Sequence, residues 1–580
     1  MVDTSVSFMR SLCMGIIEEQ AIFPFPKMPE DQKETLHTVI DSLRQLLGPR
    51  EADFRKWDRA GEMPLDFVEE LKQFGLFGLI VPEQFGGMGF KSAAYSRTLQ
   101  EVAKFDASVA VTIGAHSSIG MRGLLLFGTD EQKARFLPKL ATGEMIAAFC
   151  LTEPGAGSDA AALRTKAEQD GDDWVLNGEK LWITNGGFAD FFTVFARTGA
   201  EGGKPHLTAF IVTKDMPGVS VGPHEDKMGL RASSTTTVIL ENVRVPASNV
   251  LGDLNKGFKV AMTILNNGRT GLGGGAIGGM KKLIELSTKY ASERKTFGQA
   301  IREYGMIKLK VGQMVVDCYA TEAVVDMVAS LIDGGYEDYA VEAAISKVFA
   351  SEALWRAADE ALQIAGGNGY MCEFPYERMI RDARINRIFE GTNEILRLFI
   401  ALTAMNDVGS QLQELASSVK GIFDDPIKGF GVMRQYALKQ AALVTGIPRV
   451  GSKFTRVDPL LHDSASVFEE STRRLAAAVD RILRKHGRHI IGKQLASRRL
   501  ANIMIDLFVL ACVISRVNSS LQEHGPEKAA KEVDILKVFA SQVDRRVQHA
   551  FGLIDINDDE LIKGIAEHAF EAEKFSWDNI

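Results

Sequence analysis

The chain has 580 residues, enough at about 150 residues per domain for roughly four domains. An apolar fraction of 46% and a charged fraction of 24% exclude a disordered chain, a collagen-like fibre and a membrane-embedded body. A formal net charge of −8 argues against a general nucleic-acid binder but leaves room for a local basic patch.

The first thirty residues hold Asp3, Glu18 and Glu19 against Arg10 and Lys27. That is neither a secretory signal nor an Arg-rich, acid-poor transit peptide, so the expectation is a cytoplasmic protein of bacterial type, membrane-associated at most, or the matrix side of a mitochondrion for a processed eukaryotic form. Cys13, Cys150, Cys318, Cys372 and Cys512 lie far apart with no C-x-x-C pair, which speaks against a disulfide framework or structural zinc. Residues 1–147 read as a helical domain, because DFVEELKQFGLFGL and SAAYSRTLQEVAKFD repeat apolar residues every three or four positions. His116 has no Ser-His-Asp or His-x-x-x-His spacing around it, so a packed or capping role is expected.

The pattern changes at 148. Residues 148–255 predict an antiparallel β domain, with Asn177-Gly178 as a hairpin turn between β-prone arms. CLTEPGAGSDA, Cys150 to Ala160, reads equally as an ordinary turn or as a loop whose free N–H groups suit a polar heteroaromatic ring or a phosphate. In LWITNGG, Trp182 and Thr184 fall on one face of a strand, either in a sandwich core or against a planar ligand.

Residues 256–410 return to helical spacing. Gly273, Gly275 and Gly278 fit G-x-G-x-x-G, but a helix precedes them where a dinucleotide fold needs a strand, so close helix packing is the better reading. Gln363 to Asp382 joins a helix end to a turn with Gly366, Gly367 and Gly369, more glycine than a C-cap requires. In RIFEGTNEILRLF, Glu390 stands among apolar residues before Gly391, with Thr392 as N-cap of the next helix. It is either a carboxylate favoured by a helix dipole or a general base in an apolar pocket. Residues 411–462 form a linker, and 463–580 a further helical domain whose longest clean apolar run, Leu507 to Ser515, is too short to span a membrane. Helices, strands, then helices in separate blocks predict an α+β chain, mostly α.

Taken together these motifs resemble the acyl-CoA dehydrogenases. C-L-T-E-x-x-x-G-S-D at Cys150 to Asp159 is similar to the first family signature. Gln363, Gly366, Gly367, Gly369, Tyr370, Glu373, Arg378 and Asp382 are similar to the second, and Trp182, RKTFG at Arg294 to Gly298 and IFEGTNEI complete the set. The opening FPFP and the tail from 410 resemble the very-long-chain branch.

The resemblance implies an N-terminal helical domain, a middle β-barrel-like domain, a four-helix bundle and an extra C-terminal helical domain. It implies non-covalent FAD, with Phe149, Leu151 and Thr152 at the pyrimidine side of the flavin and Ser158 between the flavin phosphates and CoA. Trp182, Ile183 and Thr184 would pack on the isoalloxazine. Arg294, Phe297, Gln363, Gly366 and Gly367 would grip the ADP half, one set from a neighbouring subunit, with Thr392 and Glu394 near the adenosine. Gly305 stands where medium-chain members carry a Gln, so that contact is expected to be lost.

The implied reaction is α,β-dehydrogenation of an acyl-CoA. Glu390 would take the α proton as hydride passes to the flavin, and the Glu390 N–H with a ribityl hydroxyl would bind the thioester oxygen. Asn266, Arg269 and Gly391 would contact the substrate. The alternative base position of the family matches Gly268, which has no carboxylate. Ala110 and Gly114, four apart on a helix, replace larger polar residues of medium-chain relatives and so predict long and very long acyl chains. Electron-transfer flavoprotein is the implied acceptor and a homodimer the implied assembly. An acyl-CoA oxidase, or a scaffold on the same fold, is the alternative; the C-terminal WDNI is not a peroxisomal address.

Between Asp425 and Asp458 the chain has six basic residues and no acidic one, with apolar residues at roughly helical spacing. Residues 427–456 therefore read as a peripheral membrane contact, or else as a basic linker covering the protein's own core.

Overall fold

The computed structural model describes residues 4, 6–201, 204–420 and 451–579. Most of the basic segment 427–456 lies outside the described residues. The chain divides into two compact units, one of residues 25–395 and one of residues 6–24 with 396–580.

The first unit begins with helices that bury one stripe each. Leu65–Gln73 turns Phe67, Val68 and Leu71 inward. Asp130–Thr142 starts with a capping box in which Thr129 and Gln132 satisfy each other's backbone N–H. Ser92–Phe105 and Ala107–Gly114 are followed by a π-helical turn, Ala115–Gly120.

An eight-stranded sheet comes next: β1 Ala147–Cys150, β2 Lys166–Asp170, β3 Asp173–Thr184, β4 Phe191–Glu201, β5 Lys204–Thr213, β6 Val219–Val221, β7 Thr235–Pro246 and β8 Val250–Leu251. The order is β6-β7-β3-β2-β4-β5-β8, with β1 beside β4. The sheet is mixed, which corrects the antiparallel expectation. β1 (Ala147↔Phe191 to Cys150↔Val194) and β2 (Lys166↔Arg197) lie end to end along β4, so the chain passes one strand twice in the same direction. Phe191 and Phe195 face the helical core while Phe192 and Val194 face a second core, which explains why β4 is apolar on both faces, with only the hydrogen-bonded Thr193 between them.

The hairpin expected at Asn177-Gly178 lies instead at the two-residue loop Gly171-Asp172, between the paired Asp170 and Asp173. Asn177 sits within β3 at a bulge, and its side chain accepts from Asn242 N–H at 2.8 Å. Gly178 is needed there for packing, since a Cβ would fall 2.4 Å from Thr165 Oγ1. The turn-forming pair is Gly171-Asp172, with Gly171 in the left-handed region at φ +65.

Three long helices, Gly257–Glu293, Gly305–Asp333 and Ala340–Ala365, and the short helix Tyr376–Arg384 follow in this unit. The G-x-G-x-x-G run lies inside the first of them. A Cβ on Gly273 would meet Val325 Cγ2 at 2.6 Å, and one on Gly278 would meet Gln100 O at 2.0 Å. The motif is a helix-packing surface.

The second unit contains His462–His486, Gln494–Lys528, Ala530–Asp555 and Asp559–Ala572. Phe8 and Phe454 stack on Phe468 with ring centroids 6.4 and 4.9 Å apart. Gln494–Lys528 is longer than the run Leu507–Ser515 suggested, and by length and composition it could cross a membrane. Its most apolar window is 89% buried in the fold, as a core helix would be, and the segment Ala107–Phe127, which passes the same test, is 67% buried.

Candidate active site

After Tyr376–Arg384 the backbone makes a 3-10 turn, Ile385–Arg387, and then enters the left-handed region at Glu390 (φ +54) and Gly391 (φ +92). Glycine tolerates this conformation; glutamate does so at a cost, so neighbouring contacts must hold it. Ile395 N–H donates to Thr392 Oγ1 at 3.3 Å, so Thr392 caps the helix Asn393–Ala404. Lys347 Nζ donates to Gly391 O at 2.8 Å and to Asn393 Oδ1 at 3.0 Å.

This turn aims the Glu390 carboxylate inward. Oε2 is buried and makes no hydrogen bond. Burial raises the proton affinity of Glu390, against the opposing pull of Arg269 and then Lys347. A Cβ on Gly268 would lie 3.8 Å from Glu390 Oε1. Arg269, on the same helix as Gly268, is buried; its Nη1 donates to Asn266 Oδ1 at 2.6 Å, and burial lowers its pKa to about 10. Its Nε has no partner. Arg269 thus faces the carboxylate electrostatically as well as holding Asn266.

Ala110 is buried and Gly114 half-buried, one turn apart on Ala107–Gly114. A Cβ on Gly114 would touch Leu99 Cδ1 and Ser118 Oγ only at 3.9 Å, so there is room for more. Tyr95 lies against the same region: a Cβ on Gly271 would meet its Cε1 at 3.1 Å and Leu99 Cδ1 at 3.2 Å.

A second surface is built at the start of the sheet. Phe149 in β1 is half-buried, Leu151 is buried, and Thr152 O accepts from Leu181 N–H at 2.9 Å. Glu153 anchors this loop from inside, accepting from Lys180 Nζ at 2.7 Å, Thr165 Oγ1 at 2.6 Å and Thr165 N–H at 3.0 Å. Lys180 Nζ also donates to Phe195 O at 2.7 Å. Gly155, Gly157 and Ser158 remain exposed beyond it. Across a register shift in β3, Trp182 takes φ +57 and leaves its indole 63% exposed, while Ile183 packs into the sheet core and Thr184 is half-buried. The side chain of Ile183 therefore leaves only its backbone available to a ligand.

A third set is open. Phe297 is 97% exposed at φ +50 beside the exposed Arg294. Gln363 is exposed at the end of Ala340–Ala365, and added Cβ atoms on Gly366 and Gly367 would meet nothing within 4 Å. Among the described residues no side-chain hydrogen bond or ion pair joins Arg294 or Phe297 to Gln363. Glu394 is also exposed.

Two signature residues face inward instead. Asp382 Oδ1 accepts from Leu230 N–H at 2.6 Å, and Arg378 lies 3.5 Å from Asp106 and 3.2 Å from Glu51. They tie the helices to the loop after β6. His116 is likewise structural: its Nε2 lies 3.2 Å from both Phe77 O and Leu140 O, its Nδ1 accepts from Ala147 N–H at 2.9 Å, and burial lowers its pKa to about 3. Lys347 escaped the sequence reading, although a lone lysine in the small and apolar run of AAISKVFASEAL was its signal.

An exposed indole, an exposed phenyl at positive φ, open glycines and a polar loop fit a long ligand with a flat ring at one end and phosphates at its middle. FAD meets that description.

Domains described as "Acyl-CoA dehydrogenase, N-terminal domain", "middle domain" and "C-terminal domain" match residues 29–144, 148–243 and 255–405. "ACAD9/ACADV, C-terminal domain" matches 459–575. The very long-chain specific acyl-CoA dehydrogenase, mitochondrial, of Homo sapiens is 42% identical over 535 residues, covering 90% of this chain and 80% of that protein. The same enzyme of Macaca fascicularis is 41% identical over 563 residues, covering 95% and 84%. The crystal structure of an acyl-CoA dehydrogenase complexed with FAD from Bacillus anthracis superposes with a TM-score of 0.81 at 31% identity, over 98% of this chain and 96% of that one. With matches along nearly its whole length, the chain belongs to the acyl-CoA dehydrogenase family.

Proposed function

We propose that this enzyme oxidises long and very long acyl-CoA thioesters to trans-2-enoyl-CoA in fatty acid β-oxidation, with Glu390 as the base. The observation that carries the reading is the Glu390 carboxylate, buried with an unpartnered Oε2 beside Arg269 and facing Gly268. An α proton beside a thioester is weakly acidic, so the base must be desolvated and the developing enolate oxygen must meet a donor. Burial makes Glu390 a stronger base than a carboxylate in water, and Arg269 keeps it ionised. The left-handed turn at Glu390 presents its backbone N–H to the thioester oxygen. Asn266, Arg269, Gly391 and Ser158 contact the CoA thioester, and Ala110 with Gly114 leaves the far end of the acyl site open.

FAD, when bound, would supply the acceptor for the hydride of the β carbon. Phe149, Leu151, Thr152, Trp182, Ile183 and Thr184 would hold its ring, and Arg294, Phe297, Gln363, Gly366, Gly367, Thr392 and Glu394 its ADP half. The exposure of Arg294, Phe297 and Gln363 on a single chain supports a homodimer in which one set serves the neighbour's cofactor. Electron-transfer flavoprotein is the proposed acceptor, and 427–456 the proposed membrane contact. The test is anaerobic bleaching of the enzyme-bound flavin by acyl-CoAs of graded length. Bleaching that persists to the longest chains is expected; none with any acyl-CoA would overturn the enzyme reading.

A further inference from the structure

Lys347 is fully buried in the middle of the helix Ala340–Ala365, where an ammonium is costly unless its donors are used. They are spent on the segment that carries the base. Its Nζ donates to Gly391 O at 2.8 Å and to Asn393 Oδ1 at 3.0 Å. Asn393 is itself fixed, donating to Ser351 Oγ at 3.0 Å and Glu352 Oε1 at 3.2 Å. These contacts fall at and just after two successive left-handed residues, Glu390 and Gly391. An apolar residue could fill the same volume more cheaply, so the charge calls for another explanation.

We infer that Lys347 is a positioning residue for the base: its buried amine clamps the Glu390–Gly391 turn through the Gly391 carbonyl and Asn393. This rests on the reading of Glu390 as the base. The groups around that carboxylate are Arg269 on Gly257–Glu293, Tyr95 on Ser92–Phe105 and Lys347, with Glu352 and Glu394 beside the lysine. Arg269 and Lys347, when protonated, both favour the ionised form, as their opposition to the effect of burial shows, and burial in turn lowers the pKa of Lys347 to about 7 against the pull of Glu390. Removing one of two cations raises the proton affinity of Glu390, so the active, ionised base appears only at higher pH.

The test uses flavin-loaded enzyme carrying Lys347→Met, which keeps length but removes donors and charge, and Lys347→Gln, which keeps a donor. Proton abstraction is read alone, as exchange of the α proton with D2O in an acyl-CoA whose β carbon is replaced by sulfur and which cannot pass on hydride. Lys347→Met should slow exchange at least about tenfold at neutral pH and move the acidic limb of its pH profile upward by about one unit. KM should change much less than kcat. Lys347→Gln should recover part of the rate without recovering the limb. If Lys347→Met does not retain flavin, Asn393→Ala, which removes one acceptor and keeps the lysine, should show the rate loss with a smaller shift of the limb.

Native exchange rates and an unmoved limb in a flavin-loaded Lys347 variant would overturn the proposal, as would a lowered Tm with both kinetic readouts unchanged. If Lys347→Met loses its flavin, an unchanged exchange rate in Asn393→Ala would overturn it equally. Failure of the underlying reading looks different: the native enzyme itself would neither exchange the α proton nor bleach, or Glu390→Gln would exchange at the native rate.

Discussion

Glu390 Oε1 lies 3.8 Å from the point where a Cβ on Gly268 would stand. Two segments far apart in sequence therefore face one space, and only one of them brings a carboxylate. Glu390→Gln should lower the rate of flavin reduction by about 10²- to 10⁴-fold, the range typical of a lost general base. Rapid-reaction absorbance at saturating acyl-CoA measures this, and flavin content checks that the variant is intact.

Chain length should follow the floor of the acyl site. Gly114 has open space about its Cβ position, and Ala110 lies one turn before it. Ala110→Gln with Gly114→Glu should shift the preferred acyl-CoA to shorter chains. A profile of kcat/KM against chain length identical to that of the native enzyme would refute this.

The glycine run separates packing from spacing. A Cβ on Gly278 would sit 2.0 Å from Gln100 O, which is backbone and cannot rotate away, whereas one on Gly275 would meet Ala103 Cβ at a comfortable 4.0 Å. Gly278→Ala should destabilise by about 1–3 kcal/mol or more through overpacking. Gly275→Ala should be neutral or stabilising, since alanine is the better helix former. Thermal unfolding of the two variants in parallel decides between them.

His116 should give the first unit a pH dependence. Burial pulls its pKa from 6.5 to about 3, so the folded state favours neutral imidazole. The sign follows: its contribution is fully present above about 6.5 and is lost as pH falls from there toward about 3. At ~1.4 kcal/mol per pH unit, lowering the pH by one and a half units below 6.5 should remove about 2 kcal/mol. His116→Gln should flatten that part of the stability curve while lowering stability at neutral pH; a curve with the native slope would refute it.

Lys180 and Glu153 form a buried ion pair at 2.7 Å, with side chains 0% and 5% exposed. Lys180→Met leaves Glu153 charged without its cation and should cost about 3–5 kcal/mol. Because Glu153 anchors the loop that starts at Leu151, flavin affinity should fall with it, which flavin retention on dialysis measures. Unchanged retention would separate the pair from the cofactor surface.

Local signals made several parts of this protein legible in sequence. Thr392 was recognisable as a cap, His116 as a packed residue and the G-x-G-x-x-G run as a helix contact, because each follows from its near neighbours. The motif residues of the candidate site were also legible. What they do there was less so: Arg378 and Asp382 stand in the same signature as Gln363 and Gly366, yet the first two are buried in a network with Asp106, Glu51 and Leu230 while the last two are open. The Asn177-Gly178 dipeptide has the composition of a turn, but cross-strand bonding to Asn242 and close approach to Thr165 keep it in a strand.

Composition and periodicity determined the blocks of helix and strand, and residue identity determined that Glu390 is available where Gly268 is not. The tertiary structure alone decided that these two positions share a space, that β1 and β2 run parallel to β4, and that Lys347 reaches the Glu390–Gly391 turn. The reason is range. Propensity, capping and amphipathic spacing act over a few residues, whereas the proton affinity of a carboxylate depends on which charges folding brings beside it and how much water it removes.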